Sequence, residues 1–372
     1  MKYFLIAGER SGDLHGSNLI HAIRTHDPQA QVQGWGGDQM EKEGMDVLVS
    51  IKSLAFMGFW EVVKNLPTIY RLTTTCKSQI NVFQPDALIL IDYSGFNLRI
   101  AAWAKKQGYR VFYYIAPKVW AWNTGRVKSF PQKIDHLFCI FPFEVEFFKK
   151  HHFHSVEYVG NPLVDAMSQF VPKKGSPSSG KPIIALLPGS RYQEVISSLP
   201  CMLEAVAQFP MYQPVVAGVS NLPETLYNTL LQKYPQVQIW MDTSYDVLSV
   251  AQAAIVTSGT ATLETAWFQV PQVVVYRTST LSYQIAKWLI KVPYISLVNL
   301  VMGRGIVTEL IQTDLTTQRL VDELSLILPG GQNREKQLED LRVLRDLIGQ
   351  PGASYRTGER IVQIVNNVNT PI

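Results

Sequence analysis

The feature that most constrains the fold is an alternation of short apolar runs with helix-length segments, such as residues 16–25 and 98–107, which occurs twice along the chain. The apolar runs are residues 3–7, 32–35, 87–91, 111–115, 137–141 and 156–159 in the first half, and 183–187, 214–217, 237–241, 254–257 and 273–276 in the second. Apolar runs separated by helices are typical of parallel strands buried on both faces. The sequence therefore predicts an α/β protein with two Rossmann-like, doubly wound domains.

The boundary between the two halves is predicted by composition. Residues 171–182 are poor in apolar residues and rich in Pro, Gly and Ser, which is typical of a linker. We expect a first domain over residues 1–170, a second over 183–345, and a C-terminal helix over 346–372 that packs back on the first domain. Two such domains predict a cleft between them, with ligand at the carboxyl ends of the strands.

Composition limits the classes of partner. The 372-residue chain is 47% hydrophobic and 17% charged, with a formal net charge of +4. This mild charge suits an anionic substrate or membrane surface and is too small to indicate nucleic acid binding. Three scattered cysteines indicate neither a disulfide framework nor a metal site, which favours a reducing compartment. The first apolar run is too short for a signal peptide, and no run is long enough to span a bilayer, so we expect a cytoplasmic protein.

Residues 253–264, AAIVTSGTATLE, combine a strand, a turn of small residues and the start of a helix. Free backbone N–H groups at such a turn, next to the positive end of a helix, bind anions such as diphosphate. Ser258, Gly259 and Thr260 are therefore candidate diphosphate contacts, and Glu264 is a candidate partner for ribose hydroxyls. The alternative is an ordinary capped helix with a solvated Glu264.

A second candidate anion site is LPGSR, residues 187–191, which ends the first strand of the second domain. Gly189 and Ser190 are expected to expose backbone N–H groups, and the planar guanidinium of Arg191 suits a phosphate. The alternative for Arg191 is a surface arginine without a ligand.

Polar residues also follow two strands of the first domain. Asp92 ends the apolar strand 87–91, where partial burial of a carboxylate raises its pKa and suits it to general-base work, unless it only caps a helix. Residues 8–13, GERSGD, place Glu9 and Ser11 after the first strand, but without the spacing of a dinucleotide-binding motif. An ordinary turn in which Asp13 caps a helix is the alternative there.

Residues 54–72 carry large apolar side chains interleaved with Lys64 and Arg71. Such a stretch fits either a core helix or a segment that meets lipid head groups. Trp120 and Trp122 follow another strand, where indoles either stack on sugars or pack in the core. No acid or cysteine stands at ligand spacing from the histidines of residues 151–154, so we expect no metal and no cofactor.

A series of motifs in order resembles the lipid-A-disaccharide synthase family. The motifs are AGERSGD at 7–13, MGFWEV at 57–62, IDYSGFN at 91–97, VWAW at 119–122, LPGSR at 187–191, SGTATLE at 258–264 and YISLVNL at 294–300. The resemblance implies a GT-B glycosyltransferase that joins UDP-2,3-diacylglucosamine to 2,3-diacylglucosamine 1-phosphate. Its product is a β(1→6) disaccharide 1-phosphate, formed with inversion and release of UDP at the inner leaflet of the inner membrane.

The resemblance also implies roles for individual residues. Asp92 is implied as the catalytic base, Arg191 as a phosphate contact and Asn299 as a further donor-site residue. Glu9 and Ser11 are implied at the acceptor site, and we expect Asn97 and Trp120 at the same site or in the cleft. A patch facing membrane phospholipid is implied at Met57, Phe59, Trp60, Val63, Leu66 and Leu72.

Three positions depart from the family pattern. Many members have a small residue where Arg10 stands and a second acid where Gly95 stands, and Lys118 replaces a residue that is often small and polar. The glycine at position 95 leaves Asp92 as the sole candidate base.

Two other functions fit parts of the pattern. One is another GT-B-type UDP-sugar enzyme, such as an epimerase or a transferase with a non-lipid acceptor, which would have no use for the apolar stretch 56–72. The other is a membrane-associated protein that binds nucleotide sugars without turnover.

Overall fold

The computed structural model describes residues 1–53, 66–172, 180–279, 283–284, 288 and 292–369. The chain divides into two compact units, one formed by Met1–Asp165 with Gln350–Ile372 and the other by Ala166–Gly349. The first unit therefore includes the C-terminal segment, and the division falls before the Pro-, Gly- and Ser-rich stretch. Among the described residues, no helix combines the length and apolar character needed to cross a membrane.

The first unit is built on a parallel sheet. Its strands are β1 (Lys2–Ala7), β2 (Gln31–Gly36), β3 (Asp46–Ser50), β4 (Ala87–Ile91), β5 (Val111–Tyr114), β6 (His136–Cys139) and β7 (Val156–Tyr158). In the described residues they form seven strands in the order β3-β2-β1-β4-β5-β6-β7, all parallel. The direction of winding reverses between β1 and β4, so the loops after these strands lie side by side at the carboxyl edge.

Helices cover both faces of this sheet because its central strands are apolar on both sides. They are α1 (Arg10–His26), α2 (Asp38–Lys42), α3 (Leu66–Phe83), α4 (Ser94–Lys106), α5 (Val119–Trp122), α6 (Pro142–Lys150) and, at the C-terminus, α15 (Ala353–Asn369). The division between the two units falls within α7 (Pro162–Ser168). Helix α15 packs on α1 at Gly358, where a Cβ would lie 2.6 Å from the Cβ of Ala22. Glycine at this position permits the close approach of the two helices.

The second unit repeats the architecture. Its strands are β8 (Ile183–Leu187), β9 (Gln213–Gly218), β10 (Gln238–Met241), β11 (Ala251–Thr257), β12 (Gln272–Tyr276) and β13 (Thr308–Ile311), in the order β10-β9-β8-β11-β12-β13 and all parallel. Its helices are α8 (Tyr192–Val206), α9 (Glu224–Leu231), α10 (Ser244–Val250), α11 (Ala261–Trp267), α12 (Leu297–Met302), α13 (Thr317–Ile327) and α14 (Arg334–Ile348). Winding reverses between β8 and β11, which brings the loops after them together. The prediction of two parallel α/β sheets is confirmed.

The stretch expected to face lipid is described only in part. Met57, Phe59, Trp60 and Val63 lie outside the described residues, and Leu66 begins α3. Leu72 is partly buried and packs against the core of the first unit, so its expected contact with lipid stays a prediction. On the same helix Tyr70 is 76% exposed.

Candidate active site

Asp92 lies in a strained turn between β4 and α4. Asp92 and Tyr93 both have a φ of +45°, a conformation that L residues rarely adopt. The carbonyl of Asp92 accepts hydrogen bonds from the hydroxyl of Tyr113 at 2.5 Å and from Nδ2 of Asn97 at 2.9 Å. The N–H of Asp92 donates to the carbonyl of Tyr114 at 3.0 Å. Backbone contacts thus hold Asp92 at the carboxyl edge of the sheet.

The surroundings of Asp92 favour its protonated form. Burial is the main cause and raises the pKa of the Asp92 carboxyl above its ordinary value. Lys118 opposes this increase in the pKa, whereas the negative charge of Glu9 adds to it. A carboxylate with a raised pKa is a stronger base, which suits it to removing a proton from a hydroxyl group.

Glu9 and Ser11 lie beside Asp92. These three residues and Tyr93 line one small, shallow surface pocket, to which the first turn of α1 contributes. A Cβ at Gly8 would lie 2.4 Å from Cγ of Tyr93, so only glycine lets the loop after β1 approach the Asp92 turn this closely. The topology therefore brings together Glu9 and Asp92, which are 83 positions apart in the sequence.

Two residues expected at the acceptor site have structural roles instead. Asn97 is fully buried and donates its amide to the carbonyls of Ile91 and Asp92, which supports the turn from beneath. Trp120 is only 7% exposed, and its Nε1 donates to the buried carboxyl of Glu144 at 3.0 Å. Neither side chain is free to contact a substrate in this structure, so the expected contacts of Asn97 and Trp120 are wrong.

The LPGSR loop after β8 is organised by a residue that the motif did not single out. One carboxyl oxygen of Glu194 accepts the backbone N–H groups of Ser190 at 3.0 Å and Arg191 at 3.2 Å. The other accepts the guanidinium of Arg191 at 3.2 Å. The expectation that the N–H of Ser190 is free is therefore wrong. The guanidinium of Arg191, whose side chain is 78% exposed, remains accessible to a phosphate.

Replacing Gly189 with alanine is expected to lower the free energy of unfolding by about 1–3 kcal/mol. The φ of Gly189 is +108°, and a Cβ there would lie 2.4 Å from a carboxyl oxygen of Glu194. Urea unfolding measures the change, with Gly125→Ala as control, because a Cβ at Gly125 meets nothing within 4 Å. Equal stability of the two variants would contradict this description of the loop.

The 258–260 turn, between β11 and α11, carries backbone donors. The hydroxyl of Ser258 donates to the carbonyl of Ile295 at 2.8 Å, and its N–H donates to the carbonyl of Val275 at 2.9 Å. The expectation that Ser258 offers a free N–H to a diphosphate is therefore wrong. Gly259 and Thr260 are exposed, and within the described part of the chain no acceptor is found for their N–H groups. Helix α11 has only 7 residues. Its dipole is correspondingly small, so an anion at this turn would be bound mainly by these two N–H groups.

Glu264 is not a solvated side chain. Its carboxyl accepts the hydroxyl of Tyr245 at 3.3 Å, and Tyr245 packs in turn on Phe268. Burial raises the pKa of Glu264 to about 7. A carboxyl in this setting loses its proton near neutral pH and then accepts hydrogen bonds from hydroxyl groups.

Asn299 has no hydrogen-bonding capacity left for a ligand. Its Nδ2 donates to the carbonyl of Val307 and to Glu309, and its Oδ1 accepts the N–H groups of Ile306 and Val307. The side chain is 1% exposed. The expected direct contact between Asn299 and a donor substrate is wrong for this conformation, because the amide is saturated by the protein.

The sequence matches a family model along most of its length. The model of lipid-A-disaccharide synthetase matches residues 3–365. The chain belongs to this family. Lipid-A-disaccharide synthase of Geobacter metallireducens is 35% identical over 98% of this chain and 97% of its own length. The synthase of Syntrophus aciditrophicus is 36% identical over 97% of both chains, and that of Coxiella burnetii (strain Dugway 5J108-111) is 34% identical over 98% of this chain and 97% of its own.

Membership of the synthase family confirms that the chain is a hexosyltransferase of lipid A disaccharide synthesis. Solved structures confirm the GT-B fold. The calicheamicin glycosyltransferase CalG4 superposes with a TM-score of 0.65 at 14% identity, covering 100% of this chain and 99% of its own. UDP-GlcNAc 2-epimerase from Neisseria meningitidis gives a TM-score of 0.66 at 14% identity, covering 98% and 100%. At these identities the likeness is one of fold alone.

Proposed function

We propose that this synthase-family chain joins UDP-2,3-diacylglucosamine to 2,3-diacylglucosamine 1-phosphate, giving the β(1→6) disaccharide 1-phosphate and UDP. The observation that carries the proposal is the strained turn at Asp92. It holds a carboxyl of raised pKa in one pocket with Glu9 and Ser11, in a chain that matches the synthase family over residues 3–365. A base beside the exposed polar residues Glu9 and Ser11 suits an acceptor that presents a hydroxyl group.

The proposed reaction is a single displacement with inversion. Asp92 takes the proton of the acceptor 6-hydroxyl while that oxygen forms a bond to the anomeric carbon of the donor. The bond from the anomeric carbon to the β-phosphate oxygen breaks, and UDP leaves with the electron pair. Glu9 and Ser11 are proposed to bind the acceptor sugar, since both are exposed beside Asp92. General-base catalysis of this kind contributes about 100- to 10,000-fold to the rate.

The second unit is proposed to bind the donor. Negative charge grows on the diphosphate as the bond breaks, and the guanidinium of Arg191 and the N–H groups of Gly259 and Thr260 stabilise it. These groups follow β8 and β11, the adjacent strands at which the winding reverses. Glu264, one turn into α11, is proposed to accept hydrogen bonds from the ribose hydroxyls. No metal ion or other cofactor is required by this scheme.

The affinity for UDP is expected to increase with pH, because Glu264 accepts both ribose hydroxyls only as a carboxylate. With a pKa raised to about 7 by burial, the carboxyl is mostly protonated below neutrality and mostly ionised above it. The Kd for UDP should fall by up to about tenfold between about pH 6 and about pH 8. Isothermal titration calorimetry measures the change. Glu264→Gln serves as the control, because it keeps the pH dependence that arises from ionisation of the UDP phosphates. The same change in Kd with pH in both proteins would contradict the ribose role of Glu264.

Association with lipid is also proposed. Both substrates carry acyl chains, and the apolar, basic stretch 54–72 suits the head-group region of the inner membrane at its cytoplasmic face. Sedimentation with vesicles of anionic phospholipid should carry the protein down, and Arg71→Glu should weaken this binding at low salt without affecting UDP affinity.

One assay separates the proposed function from an epimerase and from a protein without turnover. Purified protein is incubated with the UDP-sugar in detergent micelles, with and without the acylated sugar 1-phosphate. The proposed function requires UDP release that depends on the acceptor. An epimerase would convert the donor without an acceptor, and a protein without turnover would release nothing in either mixture.

A further inference from the structure

A carboxylate outside the sequence motifs binds residues 295–299, the segment that contacts the 258–260 turn. Glu309 lies on β13 and accepts four hydrogen bonds through its two oxygens. One oxygen accepts the backbone N–H of Ile295 at 2.9 Å. The other accepts the N–H and the hydroxyl of Ser296, at 3.0 and 2.7 Å, and Nδ2 of Asn299 at 2.8 Å. Glu309 therefore fixes the start of α12 from the adjacent strand.

Asn299 extends this network to the chain that enters β13. Its Oδ1 accepts the N–H groups of Ile306 and Val307 at 2.8 and 3.0 Å, so both ends of the 299–307 connection are tied to one buried amide. Ser296, which is fully buried, caps α12 by accepting the N–H of Asn299 at 3.2 Å. The network leaves residues 295–299 little freedom to shift, because buried polar groups lose free energy when their partners move away.

Ile295 connects this network to the proposed donor site. Its N–H donates to Glu309, while its carbonyl accepts the hydroxyl of Ser258 at 2.8 Å. A single residue thus lies between the carboxylate of Glu309 and the turn. The N–H groups of Gly259 and Thr260 come directly after Ser258 in the chain. A displacement of Ile295 is therefore transmitted to the two groups that are proposed to bind the diphosphate.

We propose that Glu309 is a positioning residue for the donor site. It fixes Ile295 so that the 258–260 turn keeps its N–H groups directed at the diphosphate; this inference rests on the proposed donor role of the turn. Only a carboxylate meets the requirement, because both of its oxygens accept hydrogen bonds from donors. Glutamine offers one accepting oxygen and one NH₂ group, and the NH₂ group would face a donor whichever way the amide turned.

The first test compares Glu309→Gln with Glu323→Gln. Glu323 is a matched control in the same unit, since its carboxyl accepts the hydroxyl of Thr308, the neighbour of Glu309. We expect the Kd of UDP, measured by calorimetry, to increase by about tenfold in Glu309→Gln and by less than about twofold in the control. The KM of the acceptor should be unchanged. A lower melting temperature with an unchanged Kd would show that Glu309 only stabilises the fold, and would overturn the proposal.

The second test asks whether Glu309 acts through Ser258. Ser258→Ala removes the hydroxyl that reaches the carbonyl of Ile295. If Glu309 acts only through Ser258, the Kd of the double variant should equal the larger of the two single-variant Kd values. If the two residues act independently, the increases in Kd should multiply. Fully multiplicative losses would overturn the proposal. If Glu309→Gln does not fold, Ser296→Ala replaces it in the same cycle, with an expected loss of about threefold. This variant removes one of the four hydrogen bonds to Glu309 and also the cap of α12.

The outcomes also separate this inference from the proposed function. A wild-type chain that does not bind UDP would contradict the donor site itself. A wild-type chain that binds UDP but forms no disaccharide would contradict the proposed substrates. The role of Glu309 would still be supported in that case if Glu309→Gln bound UDP more weakly than wild type. Equal UDP affinity of wild type and Glu309→Gln would contradict the positioning role alone.

Discussion

Replacing Asp92 with asparagine is expected to lower kcat by a factor of about 100 to 10,000 while leaving the affinity for UDP unchanged. Asparagine has nearly the same shape as aspartate but cannot take a proton from the acceptor hydroxyl. It also tolerates the left-handed backbone found here, where φ is +45°. Alanine at this position would add backbone strain to the loss of the carboxyl, so asparagine is the cleaner substitution.

Steady-state kinetics with both lipid substrates and calorimetry with UDP measure the two effects. Asp86→Asn is a matched control, because Asp86 directly precedes β4, at the opposite end of the strand from Asp92. Within the described residues, the one hydrogen bond found for its side chain is accepted from the N–H of Lys2. Since the pKa of Asp92 is raised, wild-type kcat should fall as the pH drops through it, and the asparagine variant should lack that dependence. An asparagine variant with more than half of the wild-type kcat would rule out Asp92 as the base.

Replacing Arg191 with alanine is expected to lower kcat/KM for the donor by about 100-fold and to weaken UDP binding by about tenfold. Part of the loss is ground-state binding, since a guanidinium bonds a phosphate through two parallel N–H groups. The remainder arises because charge on the leaving diphosphate increases toward the transition state. Lysine keeps the charge without the planar fork, so Arg191→Lys should lie between wild type and alanine.

Arg319→Ala is the matched control for Arg191. Arg319 is an exposed arginine of the same unit, and it forms a 3.0 Å ion pair with Asp314 just as Arg191 pairs with Glu194 at 3.2 Å. Loss of an exposed ion pair alone costs little, about 0–1 kcal/mol. If both alanine variants kept the donor kinetics of the wild type, Arg191 would be a surface arginine without a ligand.

The parts of the fold that could be predicted are the buried ones. The central strands of each sheet are uninterrupted apolar runs, since parallel strands are covered on both faces. Two of the four edge strands, β3 (DVLVS) and β13 (TELI), were not predicted, because half-buried residues of mixed polarity give no such run. The other two, β7 and β10, were predicted because they lie in short runs that are mostly apolar. Helix α1 begins at Arg10, earlier than the predicted 16–25 segment. Gly12 and Gly16 resemble helix breakers in the sequence, but they let α1 pack on Ala7 and Met40.

The parts of the candidate site that could be predicted are those whose location follows from their position at the end of a strand. Strand ends place Asp92, Arg191 and Ser258 at the carboxyl edges of the sheets. The direction of a side chain does not follow from that position, which is why Asn97, Trp120 and Asn299 were expected at ligands and are instead buried. Partners such as Tyr245 and Glu309 come from distant segments, so no local pattern could reveal that they hold Glu264 and the 258–260 turn. Glu194 could have been found from the sequence, because an acid three residues after a helix N-cap, here Arg191, is typical of a capping box.

The structure of the product tests the central claim most directly. Wild-type protein treated with a chelator is incubated with α-linked UDP-2,3-diacylglucosamine and 2,3-diacylglucosamine 1-phosphate, and the lipid product is characterised by mass spectrometry and by NMR of the new anomeric carbon. We expect one UDP released for each β(1→6) disaccharide 1-phosphate formed. An α linkage, release of UDP without disaccharide, or activity that returns only when a divalent ion is added would contradict the single displacement proposed for Asp92 and Arg191.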